Sequence, residues 1–291
     1  MLKILILGGS GLVGSVFTNY SKQYYDLHLT YNNNPIKNLK INSTKIDVTT
    51  EIDNLQKLIL DKSPDVIINT IAHSSVDLCE TNHNDADFLH VDIPKIILDV
   101  SSEIGSKLIY FSTDAVFPGE INKKYNENDI PNPINYYGKT KLNAEKLILN
   151  HSQKNTVLRT SVIYGNHERS RFTNWILSYL KNNKITDPFI DQFNTPTLVD
   201  DIAKILNKII DGNICGLFHA AGPTCINRYD FALLLAKHSK LNSKLIKPVT
   251  KNEKKQLAPR PTSTCLDSSK LENILKMKFS DINSGISKII N

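Results

Sequence analysis

The stretch NYYGKTKLNAE, Asn135 to Glu145, carries two tyrosines and two lysines within six residues. On a helix, side chains four apart share a face. Tyr137 and Lys141 have that spacing, whereas Tyr136 has Thr140 at i+4 and Lys139 has Asn135 at i−4. Only the first pairing sets a phenol beside an ammonium. A neighbouring cation stabilises phenolate and lowers a tyrosine pKa from about 10 toward the working pH. A phenol tuned in that way is a general acid for carbonyl reduction. The same spacing also describes a solvated helix face, so the chemistry needs a hydride source nearby.

The sequence GGSGLVG supplies a place for one. It follows the apolar run KILILG (3–8) and opens an amphipathic pattern. It fits G-x-G-x-x-G through Gly9, Gly11 and Gly14, and G-x-x-G-x-x-G through Gly8, Gly11 and Gly14. Either frame gives a tight turn, close backbone approach to a pyrophosphate, and a helix N-terminus facing the phosphates. Gly8, Ser10, Gly11, Leu12, Val13 and Gly14 are therefore expected to hold a dinucleotide. The second strand ends LTYNNN, without the carboxylate that would bind an adenosine 2′-hydroxyl. A 2′-phosphate meets no repulsion there, and the amide of Asn32, with Lys37 further on, can donate to it. The expected cofactor is NADP, with NAD possible. Asp47 in KIDVTT, beside Val48, is placed either to contact adenine or to cap a loop or helix.

These residues need elements to position them. Short apolar runs at 3–8, 26–31, 65–70, 107–112 and within 155–165 read as strands. Segments 12–24, 51–61, 85–103 and 136–150 read as helices. Such alternation predicts an α/β fold, a Rossmann-type doubly wound parallel sheet with ligands at the carboxyl ends of the strands. After Gly165 helical patterns at 172–183, 198–211 and 228–240 alternate with Pro- and Asn-containing loops. The expected division is a dinucleotide-binding domain over 1–165 and a smaller substrate-binding lobe over 166–291. Residues 195–220, with GLFHAAG (216–222) as a late strand, are expected to return to the first domain.

Composition sets further bounds. The chain of 291 residues has a net charge of +6, which suits anionic small molecules. The lysines are spread along the chain, so nucleic acid is not expected. The longest apolar runs are too short to span a bilayer, and no signal peptide is read at the start. A cytoplasmic protein is expected, with its four cysteines (Cys79, Cys215, Cys225 and Cys265) as buried free thiols. No C-x-x-C, H-x-x-x-H or H-E-x-x-H occurs, so no metal site is expected.

Three motifs in order give the chain a family resemblance: GGSGLVG, IYFSTDAVF (109–117) and YGKTK (137–141). It resembles the extended short-chain dehydrogenase/reductases. The resemblance implies that Tyr137 donates the proton, Lys141 holds the nicotinamide ribose and lowers the tyrosine pKa, and Thr113 hydrogen-bonds the substrate oxygen. More of the chain is similar to dTDP-4-dehydrorhamnose reductases and their sugar-nucleotide relatives. The matching stretches are INTIAHSSVDLCE (68–80), STDAVFPG (112–119), LRTSVIYG (158–165), DQFNTPTLVDDIA (191–203) and PRPTSTCLDSSKL (259–271). This likeness implies that Ala72, His73 and Ser74 line the cofactor cleft and that Thr113 and Asp114 touch the sugar. It implies NADPH-dependent reduction of the C4 keto group of a 4-keto-6-deoxy nucleotide sugar, and a possible homodimer.

The chain departs from that family at four places. Ala115 stands where a tyrosine is usual and Val162 where a substrate-contacting tryptophan is usual. Arg228, in NRYDF, stands where the family carries tryptophan, and His90 or Asp92 replaces an asparagine. The reductase set is intact while the substrate pocket is altered. Arg169, Arg171 and Arg260 are candidates to grip a diphosphate, and Arg260 sits in a matching stretch. Arg159 is placed to pair with a carboxylate or to approach substrate. Trp175 reads as core, and His73 as a cleft-lining residue. Two alternatives stay open. A bifunctional 3,5-epimerase/4-reductase is disfavoured because its relatives carry a cysteine near the Ala115 position. A regulatory subunit resembling the methionine adenosyltransferase beta subunit would act by binding a partner enzyme.

Overall fold

The computed structural model describes residues 1–36 and 41–290. Lys37, expected beside the cofactor, lies outside the described residues. The strands are β1 (Lys3–Leu7), β2 (Asp26–Tyr31), β3 (Asn42–Lys45), β4 (Val66–Asn69), β5 (Lys107–Thr113), β6 (Thr156–Thr160), β7 (Ile163–Tyr164), β8 (Phe193–Asn194), β9 (Thr197–Leu198), β10 (Gly216–His219) and β11 (Ile226–Asn227). Seven form one parallel sheet in the order β10-β6-β5-β4-β1-β2-β3. The order reverses between β1 and β4, so the ligand crevice opens beyond the carboxyl ends of those strands.

The uninterrupted apolar runs of β1 and β4 follow from burial on both faces. Along β1, Ile4 and Ile6 pack with Phe17 of helix Leu12–Ser21 and Leu206 and Ile209 of helix Val199–Asp211. The alternate residues Leu5 and Leu7 pack with Leu55 and Ile59 of helix Ile52–Lys62 and Ile97 of helix Ile93–Glu103. The second lobe has its own core, where helices Arg171–Lys181, Arg228–His238 and Ile282–Ile290 bring together Ile176, Leu180, Phe231, Leu235 and Ile286. β10 completes the main sheet at its edge. Helix Ser269–Leu275 also joins the first core, through Leu271 and Leu275, beyond the segment expected to return.

The segment expected as helix over 85–103 is helical throughout, with a π-helical turn (Phe88–Asp92) joining the α-helices His83–Asp87 and Ile93–Glu103, and Pro94 in the first turn of the latter. One sequence expectation is corrected here: the cysteines are not all free. Cys225 and Cys265 form a disulfide with Cα atoms 5.5 Å apart, leaving Cys79 and Cys215 as thiols. Cys225 leads into β11, which pairs with β8, and Ser263 bridges β8 at Phe193. Residues 40 apart in sequence are thereby carried to the same short strand. Among the described residues no helix is long and apolar enough to cross a membrane.

Candidate active site

The turn after β1 has the shape a pyrophosphate requires. Gly8 has φ +81°, and a Cβ there would lie 2.7 Å from Thr70 Oγ1; a Cβ on Gly14 would lie 2.7 Å from the Gly8 carbonyl. The turn and the helix therefore meet at glycine–glycine distance. Gly11 is the N-cap of helix Leu12–Ser21 and offers no side-chain acceptor. The N–H groups of Leu12, Val13 and Gly14 have no carbonyl within the helix to bond, so they are left for an anion. Ser10 sits in the turn itself, partly buried. The residues present fit a dinucleotide.

Around this cradle the other expected cofactor residues fall unevenly. Asn32 follows the end of β2, with its side chain near Asp47. Asp47 Oδ1 accepts the Thr49 amide at 3.0 Å and the Thr49 hydroxyl at 2.6 Å. These bonds hold its carboxyl below the usual aspartate range. The loop-capping role left open by the sequence is thus filled. Val48 is buried in the core cluster that contains Leu5. Ala72 and Ser74 are exposed beyond β4, with His73 partly buried between them.

Tyr137 and Lys141 lie on helix Tyr136–His151. Asn135 caps this helix by accepting the Gly138 amide at 2.9 Å, and its own amide donates to the Pro259 carbonyl at 3.0 Å. A Cβ on Gly138 would run into the Ala115 carbonyl, so the helix closes directly onto the end of β5. That contact sets the Tyr137 phenol beside the Thr113 side chain, both lining the cleft. Thr113 Oγ1 donates to Asp114 Oδ1 at 3.1 Å and accepts the Ala115 amide at 3.1 Å. The other Asp114 oxygen accepts from Ser161 (2.7 Å), Asn194 (2.7 Å) and Thr264 (2.5 Å). A carboxylate so fully engaged ties the end of β5 to the second lobe.

Lys141 is 2% exposed, and its Nζ donates to Tyr110 Oη at 2.8 Å. Burial brings its pKa down to about 7, against the opposing pull of Glu145. The Tyr137 phenol is raised, first by burial, although the neighbouring Thr113 hydroxyl works the other way. In the chain by itself the Lys141 ammonium is turned to Tyr110 rather than to this phenol.

His90 settles which residue of LHVDIP faces the site. It is buried within the π-helical turn, while Asp92 is exposed. Its Nε2 accepts the His73 backbone N–H at 2.9 Å, which places the proton on Nδ1, 2.8 Å from Thr140 Oγ1. Its ring stands edge-on to Tyr137, with centroids 5.5 Å apart. Burial and the Lys141 charge hold it neutral, far below the usual histidine range. Pro94 has no N–H to give the His90 carbonyl four residues before it. That carbonyl accepts from Tyr110 Oη at 3.3 Å instead. A hydrogen-bonded path thus runs from Lys141 through Tyr110 to His90.

A cleft of about 420 Å³ opens over Thr113, Asp114, Ala115 and Tyr137 and extends between the lobes to Arg228 and Arg260. Val162 does not line it; it packs against the second-lobe core. Trp175, expected to be core, both packs against that cluster and lines the cleft. Arg171 is at the exposed rim, while Arg169 lies outside the lining, 3.9 Å from Glu168. Arg260 is bound to Asp77 at 3.0 Å and to the Ala258 carbonyl at 2.9 Å. Arg159 turns out to pair with Glu145, at 2.7 Å in the interior. Tyr136 is occupied elsewhere, donating to Asp87 at 2.5 Å and stacking on His83.

The family model of the RmlD substrate binding domain matches residues 2–291. The chain belongs to that family. It is 31% identical to the dTDP-4-dehydrorhamnose reductase of Aggregatibacter actinomycetemcomitans, over 99% of this chain and 98% of the relative. It is also 35% identical to methionine adenosyltransferase 2 subunit beta of Bos taurus, over 75% of this chain and 67% of the relative. Among solved structures, a hypothetical dTDP-4-dehydrorhamnose reductase from Sulfolobus tokodaii superposes with a TM-score of 0.86 at 30% identity. That match covers 97% of this chain and 99% of the other. This chain carries together a glycine turn after β1, the Thr113, Tyr137 and Lys141 side chains, and a cleft between two lobes. Tyr110 lies within the IYFSTDAVF stretch and Arg228 within NRYDF, but neither stretch reveals that Tyr110 holds Lys141 or that Arg228 lines the cleft.

Proposed function

We propose that the chain is an NADPH-dependent reductase of the C4 keto group of a 4-keto-6-deoxy nucleotide sugar. The observation that carries this reading is the placing of Tyr137 beside Thr113 at the floor of the inter-lobe cleft. The relatives named as dTDP-4-dehydrorhamnose reductases support it at full length. The glycine turn and the N–H groups of Leu12, Val13 and Gly14 would hold the pyrophosphate, and Lys141 the nicotinamide ribose. When bound, NADPH supplies the hydride. Thr113, which here gives its proton to Asp114, would turn that proton to the substrate oxygen and orient it. Tyr137 then gives its proton to the developing alkoxide. Its raised pKa is compatible with this step, because an alkoxide is a far stronger base than a buried phenolate. A Thr113 hydroxyl so turned adds charge stabilisation where the oxyanion forms.

The test is NADPH oxidation over a panel of dTDP-, UDP-, GDP- and CDP-linked 4-keto sugars, with NADH as comparison. Turnover on one of them with the C4 alcohol as product supports the reading. No turnover on any, together with stoichiometric capture of a partner enzyme, would favour the regulatory-subunit reading. The similarity to methionine adenosyltransferase 2 subunit beta motivates that second reading.

A further inference from the structure

Arg228 is the first residue of helix Arg228–His238, directly after β11. It is partly buried, with its guanidinium carbon 5.2 Å from the centroid of the Phe172 ring, and it lines the cleft over Tyr137. Among the described residues its guanidinium makes no hydrogen bond and no ion pair. The other cations of the cleft differ. Arg260 is paired with Asp77, Lys254 with Asp187, and Arg171 is exposed at the rim. The charges acting on Arg228 are Asp114, toward the reacting end, and Arg260, toward the other. Asp114 cannot neutralise it, because both Asp114 oxygens already accept from hydroxyl and amide donors.

A guanidinium removed from bulk water, stacked on an aromatic face and left unpaired, is costly unless an anion completes it. A planar fork of donors matches a phosphate with two parallel bonds. Arg228 lines the same cleft as Thr113 and Tyr137 and feels the charges of Asp114 and Arg260, a setting that suits a phosphate joined to the sugar. From these observations we propose that Arg228 is the inner anchor for the diphosphate of the substrate, taking the phosphate next to the sugar. Arg260, already tied to Asp77, then serves the outer part. The inference rests on the nucleotide-sugar reading and names the residue that recognises the anion.

The experiment uses the full chain with NADPH and four nucleoside diphosphates, dTDP, UDP, GDP and CDP. Calorimetry identifies the tightest of the four for the wild-type protein, and the variants are then titrated with it. Arg228→Met should weaken that binding roughly 10- to 100-fold, the range expected for losing a hydrogen-bonded charge. NADPH affinity should stay within about twofold, which shows that the variant is folded. Arg228→Lys should recover part of the loss, because it keeps the charge but not the fork. Unchanged nucleotide affinity in Arg228→Met would overturn the assignment, as would a wild-type protein that binds none of the four. Failure of the reductase reading shows separately: nucleotide binding that depends on Arg228 with no NADPH oxidation on any keto sugar leaves the anion site standing and removes the reaction.

Discussion

Lys141 Nζ lies 2.8 Å from Tyr110 Oη and 4.2 Å from the centroid of the same ring. Tyr110 is buried in β5, and its hydroxyl also donates to the His90 carbonyl that Pro94 leaves free. The lysine is therefore held by Tyr110 rather than by Tyr137. Tyr110→Phe removes the oxygen that accepts from the ammonium while keeping the ring. The buried cation then loses a stabilising partner, so its pKa, already about 7, falls further. In the proposed reductase, Lys141 would act as an ammonium that donates to the ribose hydroxyls. The kcat/KM for NADPH reports the free enzyme, so it should be level below about pH 7 and fall as pH rises through that value. In Tyr110→Phe the descending limb should move to lower pH, with the low-pH plateau changed less than the value at pH 8. Coincident profiles for the two proteins would show that the Tyr110 hydroxyl does not tune Lys141.

Tyr137→Phe should separate chemistry from binding. The phenol lies beside Thr113, and its ring packs on His90, a contact phenylalanine retains. Loss of a positioned general acid costs about 10²- to 10⁴-fold in rate. The expected result is a fall in kcat of that order with NADPH affinity within a few fold of wild type, measured by stopped-flow turnover and by fluorescence titration of NADPH. A variant that kept the wild-type kcat would remove Tyr137 from the proton transfer.

The chemistry of this chain was easier to read from its residues than the settings that tune it. Helical spacing singles out Tyr137 and Lys141, and the glycine turn is legible because its φ and close contacts admit no other residue. The continuous apolar runs of β1 and β4 announce a sheet covered on both faces. The direction of the Tyr137 pKa was not legible, because burial and the turning of Lys141 toward Tyr110 are tertiary facts. The π-helical turn has a clue in Pro94, but a proline in a first helical turn is ordinary, and only the Tyr110 contact gives it consequence. Arg228 reads as one of several arginines until β11 and the second-lobe helix place it in the cleft. The Cys225–Cys265 pair leaves no spacing signal at all.

The Glu145–Arg159 pair should be a determinant of stability. Glu145 lies one helical turn beyond Lys141, and its side chain is 2% exposed against 3% for Arg159. The pair is bidentate, with Nε and Nη2 at 2.9 and 2.7 Å, and Ser112 also donates to Glu145. It fastens the catalytic helix to β5 and β6. Removing one partner leaves a buried charge uncompensated, at a cost of about 3–5 kcal/mol. Glu145→Ala should therefore unfold at markedly lower urea concentration than wild type, with an unchanged m-value. The double variant Glu145→Leu/Arg159→Met should recover much of the loss, because no unpaired charge remains. A double variant as unstable as the single one would show that the pair contributes by packing rather than by charge.

The disulfide is open to direct counting. With Cys225 and Cys265 joined, the denatured, unreduced protein should present two titratable thiols, from Cys79 and Cys215, and four after reduction. Closing a loop between positions 40 apart restricts the unfolded chain by about 4 kcal/mol in the chain-entropy account. Reduction, or Cys225→Ser with Cys265→Ser, should then lower the unfolding midpoint. The bond also flanks the cleft: Cys225 stands three residues before Arg228, and Cys265 follows Thr264, which donates to Asp114. Its loss should accordingly raise the KM for the nucleotide sugar more than it changes kcat, since Tyr137 and Thr113 are held by the first lobe. Four free thiols before reduction would show that the two cysteines pack as neighbours without joining.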